Sequence, residues 1–173
     1  MKPSSRPQET AHRLSAYTTM MDEVLAQAAC EVWPLYFNSQ LTPAVETTHL
    51  PQNCAMITAC ISLKGDWRGG VLLVCPAQLV DAAATALFGE CSDDEPQDAA
   101  KDLLGEVANT IAGSVAGALP GAVSLSLPVI AQGVDLAVSV QDGQPVRDVH
   151  FTCGEQPVRL VLLESQPGTF KGA

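Results

Sequence analysis

Apolar residues recur at helical spacing in "TTMMDEVLAQAACEVWPLYF", from about Thr18 to Phe37, with Asp22 and Glu23 early and Pro34 weakening the end. A long first helix is predicted there. Residues 1 to 14 are polar, contain Pro3 and Pro7, and lack that period, so a disordered N-terminal lead is expected. In "NCAMITACISLKGDWRGGVLLVCP" the pattern changes to β-type runs on either side of the turn-rich "KGDWRGG", which predicts an antiparallel hairpin. Pro76 fits the first position of a further helix, "PAQLVDAAATALFGE", and Gly89 its C-cap. The acidic "ECSDDEPQDAA" reads as a solvated loop, with Asp93, Asp94 and Glu95 complementing the positive end of the next helix rather than holding a metal.

That helix is expected from about Gln97 to Ala118, stopped by Pro120 and Gly121. Beyond it, "AVSLSLPVI", "VDLAVSV", "VRDVHFTC" and "VRLVLLE" are β-like runs separated by "AQG", "QDGQP" and "GEQP", with a hairpin turn at "QDGQ". This order predicts an α+β fold in which long helices pack on one face of a mainly antiparallel sheet. A single domain is expected over residues 15–165, with a flexible tail at 166–173.

Composition narrows the function. The chain has 173 residues and is 47% hydrophobic but only 5% aromatic, which suits a tight core of small and branched side chains. A formal net charge of −10 argues against nucleic acid and anionic membranes, because phosphate binding rests on Lys and Arg. No apolar run reaches membrane-spanning length and the N-terminus lacks a signal-peptide core, so a cytoplasmic protein without membrane insertion is expected. Cys30, Cys54, Cys60, Cys75, Cys91 and Cys153 then read as small hydrophobes, with Cys54 and Cys60 on the same side of a strand. His12, His49 and His150 are scattered, no CxxC occurs, and no metal site is expected. GxSxG, GxGxxG, the P-loop and HExxH are all missing.

One stretch breaks the helical rules. In "DLLGEVANTIAG" (102–113), at about 100° per residue, Asp102, Glu106, Asn109 and Gly113 fall on one narrow stripe. Leu103, Leu104, Val107, Ala108, Ile111 and Val115 fall opposite and face the core. Asn is a mediocre helix former and an interior Gly costs about 1 kcal/mol relative to Ala. Gly105 and Gly113 beside an exposed Asn therefore suggest a surface kept flat for an approaching partner; close packing of Gly113 and Gly117 on a neighbouring helix is the rival account.

Asp102-x3-Glu106-x2-Asn109 resembles the signature of the CheC/CheX family of chemotaxis phosphatases, and the hairpin, "AQLVDAAATALFGE" and "SLSLPVI" resemble that family's run of elements over roughly residues 50 to 165. A single Glu-x2-Asn copy is similar to CheX-type members rather than the two-motif CheC type. The closing proline of the signature has its candidate in Pro128, nearer to Asn109 than the family pattern places it. The resemblance implies hydrolysis of the aspartyl phosphate on a CheY-type response regulator receiver domain, with no cofactor of its own, Mg2+ in the partner, and a homodimer as a reasonable assembly. An activated acyl phosphate needs only a water positioned in line, and an amide that accepts from water and donates to a phosphoryl oxygen suits Asn109. At about 1.4 kcal/mol per tenfold, one well-placed amide supplies about a hundredfold. A carboxylate is a weak general base at neutral pH, so Glu106 is cast as the anchor for the receiver's lysine. Asp102 either adds to that contact or favours the helix dipole, and Gly113 extends the partner surface. The alternatives are a receiver-docking or self-assembling module without activity, in signalling or the flagellar switch.

Overall fold

The structure is a computed structural model that describes residues 6–45, 53–89, 96–134 and 143–165, without the side chains of 6–16, 96 and 97. In chain order the elements are α1 (Arg6–Phe37), β1 (Thr42–Ala44), β2 (Met56–Gly65), β3 (Gly69–Pro76), α2 (Ala77–Phe88), α3 (Pro96–Ala118), β4 (Val123–Leu125), β5 (Val129–Gly133), β6 (Gly143–Cys153) and β7 (Gln156–Ser165). The strands form one seven-stranded sheet with neighbours in the order β1-β6-β7-β3-β2-β4, and β5 also pairs with β2. Every pairing is antiparallel, as the α+β expectation required.

Alternation along the central strands decides where the helices sit. Ile57, Ala59, Ile61 and Leu63 of β2, Val71, Leu73 and Cys75 of β3, and Val158, Leu160 and Leu162 of β7 join one core with the buried faces of α1, α2 and α3. The intervening residues Cys60, Leu72, Val161 and Leu163 form a second, smaller apolar cluster on the other face. Strands apolar on both faces read as near-continuous hydrophobic runs, which is why "VLLVC" does not alternate.

The hairpin at 65–69 is as expected, with Leu63 opposite Gly69. Trp67, 8% exposed, packs within its turn: a Cβ on Gly69 would stand 2.6 Å from the indole. Gly89 caps α2 at φ 79°, its N–H donating to the Thr85 carbonyl at 2.9 Å, while Pro76 serves as N-cap instead of first helical residue.

Other expectations are corrected. The first helix begins at Arg6, inside the stretch expected to lack structure, and Pro7 falls in its first turn, where a missing N–H costs no hydrogen bond. Its other end, at Phe37, is as expected, with Pro34 inside the helix and the rings of Trp33 and Phe37 stacked across the proline at a centroid distance of 3.7 Å. The single run expected at "AVSLSLPVI" is split into β4 and β5. Pro128 has no N–H for the ladder, and Ser126 bridges the gap: its N–H donates to the Ser62 carbonyl at 2.9 Å while its Oγ accepts from the Ser62 N–H at 3.0 Å. Cys54 precedes β2 and so does not share a strand face with Cys60, and the short β1, paired with β6, was not foreseen. Asp93, Asp94, Glu95, Cys91, His12, His49, the "QDGQ" turn, most of "VDLAVSV" and the 166–173 tail lie outside the described residues or side chains.

Leu104 is fully buried on the inner side of α3. Leu104→Ala is expected to lower stability by about 2–5 kcal/mol, read as a lower urea midpoint at unchanged slope.

Candidate functional site

α3 is central among the helices: it contacts both α1 and α2 and lies on β2, β3, β4 and β5. Leu103 is 3% exposed, and Leu104, Val107, Ala108, Ile111 and Val115 are all 0% exposed, so the apolar side of the helical wheel is the side that packs. The opposite stripe is forced outward. Asp102, Glu106, Asn109 and Gly113 are all exposed along one line of the helix.

Among the described residues, the side chains of Asp102, Glu106 and Asn109 have no hydrogen-bond or ion-pair partner. The hydroxyls beside them are turned inward: Thr110 Oγ1 donates to the Glu106 carbonyl at 2.9 Å, and Ser114 Oγ to the Thr110 carbonyl at 3.4 Å. What this face presents to solvent is therefore two carboxylates and one carboxamide. Asp98, Asp102 and Glu106 follow at i, i+4 spacing, an arrangement of like charges that disfavours the helix by a few tenths of a kcal/mol per pair, roughly. Lys101 answers only the first, with Nζ 3.2 Å from Asp98 Oδ1.

The glycines of α3 divide into two kinds. Among the described residues, a Cβ at Gly113 or Gly117 would meet nothing within 4 Å, so close packing on a described helix is not their reason. Gly105 is buried, and a Cβ there would stand 3.1 Å from Pro128 Cγ and 3.4 Å from its Cβ. Pro128, at the entry to β5, thus leans on the turn that displays Glu106 and Asn109. A mid-helix glycine ahead of an isolated proline in a β-like run was the available sequence signal for this contact.

Other reactive groups lie apart from the stripe. Burial pushes the thiols of Cys60 and Cys75 upward, away from the nucleophilic thiolate, and Cys30, Cys54, Cys60, Cys75 and Cys153 are all unpaired thiols. Asp148 accepts from Arg159 Nε at 2.7 Å and has His150 Nε2 at 3.1 Å without hydrogen-bond geometry. By strand alternation this cluster shares the sheet face of Val161, opposite α3. Among the described residues no group of acidic, His or Cys side chains could hold a metal, and no helix is long and apolar enough to cross a membrane.

The family model "Chemotaxis phosphatase CheX" matches residues 57–152, more than half of the chain and including the whole stripe. The chain belongs to the CheX family. No curated protein sequence matches. Among solved structures, the CheX chemotaxis protein of Desulfovibrio desulfuricans is similar at 20% identity and a TM-score of 0.67, over 84% of this chain and 99% of that one. CheX in the CheX-CheY-BeF3-Mg2+ complex of Borrelia burgdorferi is similar at 16% identity and a TM-score of 0.62, covering 83% and 97%. FliY of Thermotoga maritima is similar at 16% identity and a TM-score of 0.54, covering 86% and 89%. At these identities the likenesses show the fold, and the CheX fold agrees with the packing of helices on an antiparallel sheet described above.

Because Gly113 has open space for a methyl group, Gly113→Ala is expected to stabilise the helix by about 0.5–1 kcal/mol. A denaturant midpoint that falls instead would show that the exposed glycine serves the fold.

Proposed function

We propose that this CheX-family chain is a phosphatase that hydrolyses the aspartyl phosphate of a CheY-type receiver domain. The observation that carries the reading is the stripe: Glu106 and Asn109 stand exposed, one turn apart on a helix held from both sides, with no described partner engaging either side chain. Asn109 is the catalytic residue. Its carboxamide oxygen accepts a hydrogen bond from a water lying in line with the phosphorus, and its NH2 donates to a phosphoryl oxygen, so attack and charge development are both served by one group. The P–O bond to the receiver's aspartate breaks as the water oxygen bonds to phosphorus, and inorganic phosphate leaves.

Glu106 pairs with the lysine beside the receiver's phosphorylation site and fixes the register of Asn109 against it. The receiver brings Mg2+ and its own acidic pocket, and this chain adds no metal. Every group named lies on α3 of a single chain, so the chemistry needs no second copy, whether or not a homodimer forms. A complex of a relative with CheY, BeF3 and Mg2+ supports this class of partner. The fold by itself does not separate a phosphatase from a docking module; the paired Glu106 and Asn109 are what favour catalysis.

The test is loss of phosphate from a phosphorylated receiver domain with Mg2+, with and without the protein. Acceleration is expected to fall by about a hundredfold in Asn109→Ala, the worth of one well-placed amide. Asn109→Asp keeps the shape but replaces the donor with a negative charge, and the same loss is expected. Glu106→Ala is expected mainly to raise the receiver concentration needed for half-maximal rate. Binding of the receiver by wild type without any acceleration would replace this reading with the docking module.

A further inference from the structure

Asn109 has no hydrogen bond to a described residue that would hold its amide in place, so its position rests on where the backbone of α3 stands. We propose that Pro128 is a positioning residue for Asn109, acting through the notch at Gly105; the inference rests on the phosphatase reading. Gly105 lies four residues before Asn109 and one before Glu106, on the flank of the stripe. It is the α3 glycine whose missing Cβ is filled from outside the helix, with Pro128 Cγ and Cβ at 3.1 and 3.4 Å from that position and Ile130 Cδ1 at 3.8 Å. At Gly113 and Gly117 the corresponding space is open.

What leans into the notch is rigid. A pyrrolidine ring has little freedom, and Pro128 is anchored on both sides. Before it, Ser126 is hydrogen-bonded to both backbone groups of Ser62; after it, Val129 and Ile130 are in register with Cys60 and Ala59 of β2. The contact ties the turn bearing Glu106 and Asn109 to the interior strand β2 rather than to a loop. Ala would hold the helix better than Gly at 105, yet its methyl would press the ring at 3.1 Å and shift either α3 or the β5 entry by a few tenths of an ångström. Water positioning is sensitive to displacements on that scale, whereas docking of a whole receiver domain is much less so.

The experiment measures phosphate loss across a range of receiver concentrations for wild type, Gly105→Ala, Pro128→Ala and the double variant, with Asn109→Ala as reference and a Tm for each. Gly105→Ala is expected to lower kcat on the order of fivefold with little change in the half-saturating receiver concentration, since only the reacting geometry moves. Pro128→Ala is expected to lower kcat as well. In the double variant the methyl replaces part of the lost ring, and kcat is expected to recover towards wild type. Wild-type kcat in both single variants, while Asn109→Ala is inactive, would overturn the positioning role and leave the phosphatase standing. So would losses in kcat that follow Tm and do not recover in the double variant. No acceleration by wild type would remove the phosphatase reading and this inference together.

Discussion

The apolar face of α3 is buried between the sheet and the two other helices, and the rest of the site depends on that burial. Leu104, Val107, Ala108, Ile111 and Val115 lose all contact with solvent, so the helix cannot rotate about its axis without exposing several of them. With rotation excluded, the outward direction of Asp102, Glu106 and Asn109 is determined by the buried residues on the opposite side of the helix. A helix also gives Glu106 and Asn109 a fixed separation of one turn, which a loop would not.

The same burial explains how much was legible from the sequence. In α3, where one period dominates, pattern reading located both the element and its faces, and turn residues located the hairpin around Asp66. It failed where a tertiary contact outweighed a local signal. "AVSLSLPVI" looked like one strand because alternation says nothing about which N–H groups a ladder needs, and Pro128 has none to offer. The stripe was visible because it needs only the helical wheel; the seat of Pro128 on Gly105 was not, since it joins residues far apart in sequence through packing.

Glycines at similar spacing turn out to have different causes. The notch at Gly105 is filled by another part of the chain, while Gly113 and Gly117 leave the outer surface of α3 bare beyond Asn109. Together with the inward-turned hydroxyls of Thr110 and Ser114, this makes the C-terminal half of the stripe low and free of competing hydrogen-bond groups. A bulky partner surface can close over Asn109 from that side. From the other side it meets the carboxylates of Asp102 and Glu106.

Under the proposed phosphatase reading, this polarity along the helix bears on why the reacting group would be an amide. An acyl phosphate in its acidic pocket is already rich in negative charge, and a third carboxylate at position 109 would add repulsion at the phosphorus, where screening by water is least. An amide of the same shape brings a donor to the phosphoryl oxygens and an acceptor to the water with no net charge. The charged groups are instead kept a turn or more away, where a lysine can meet them. Asn109 is a poor choice for a helix and a good one for a surface proposed to approach an anion, and the buried side of α3 carries it.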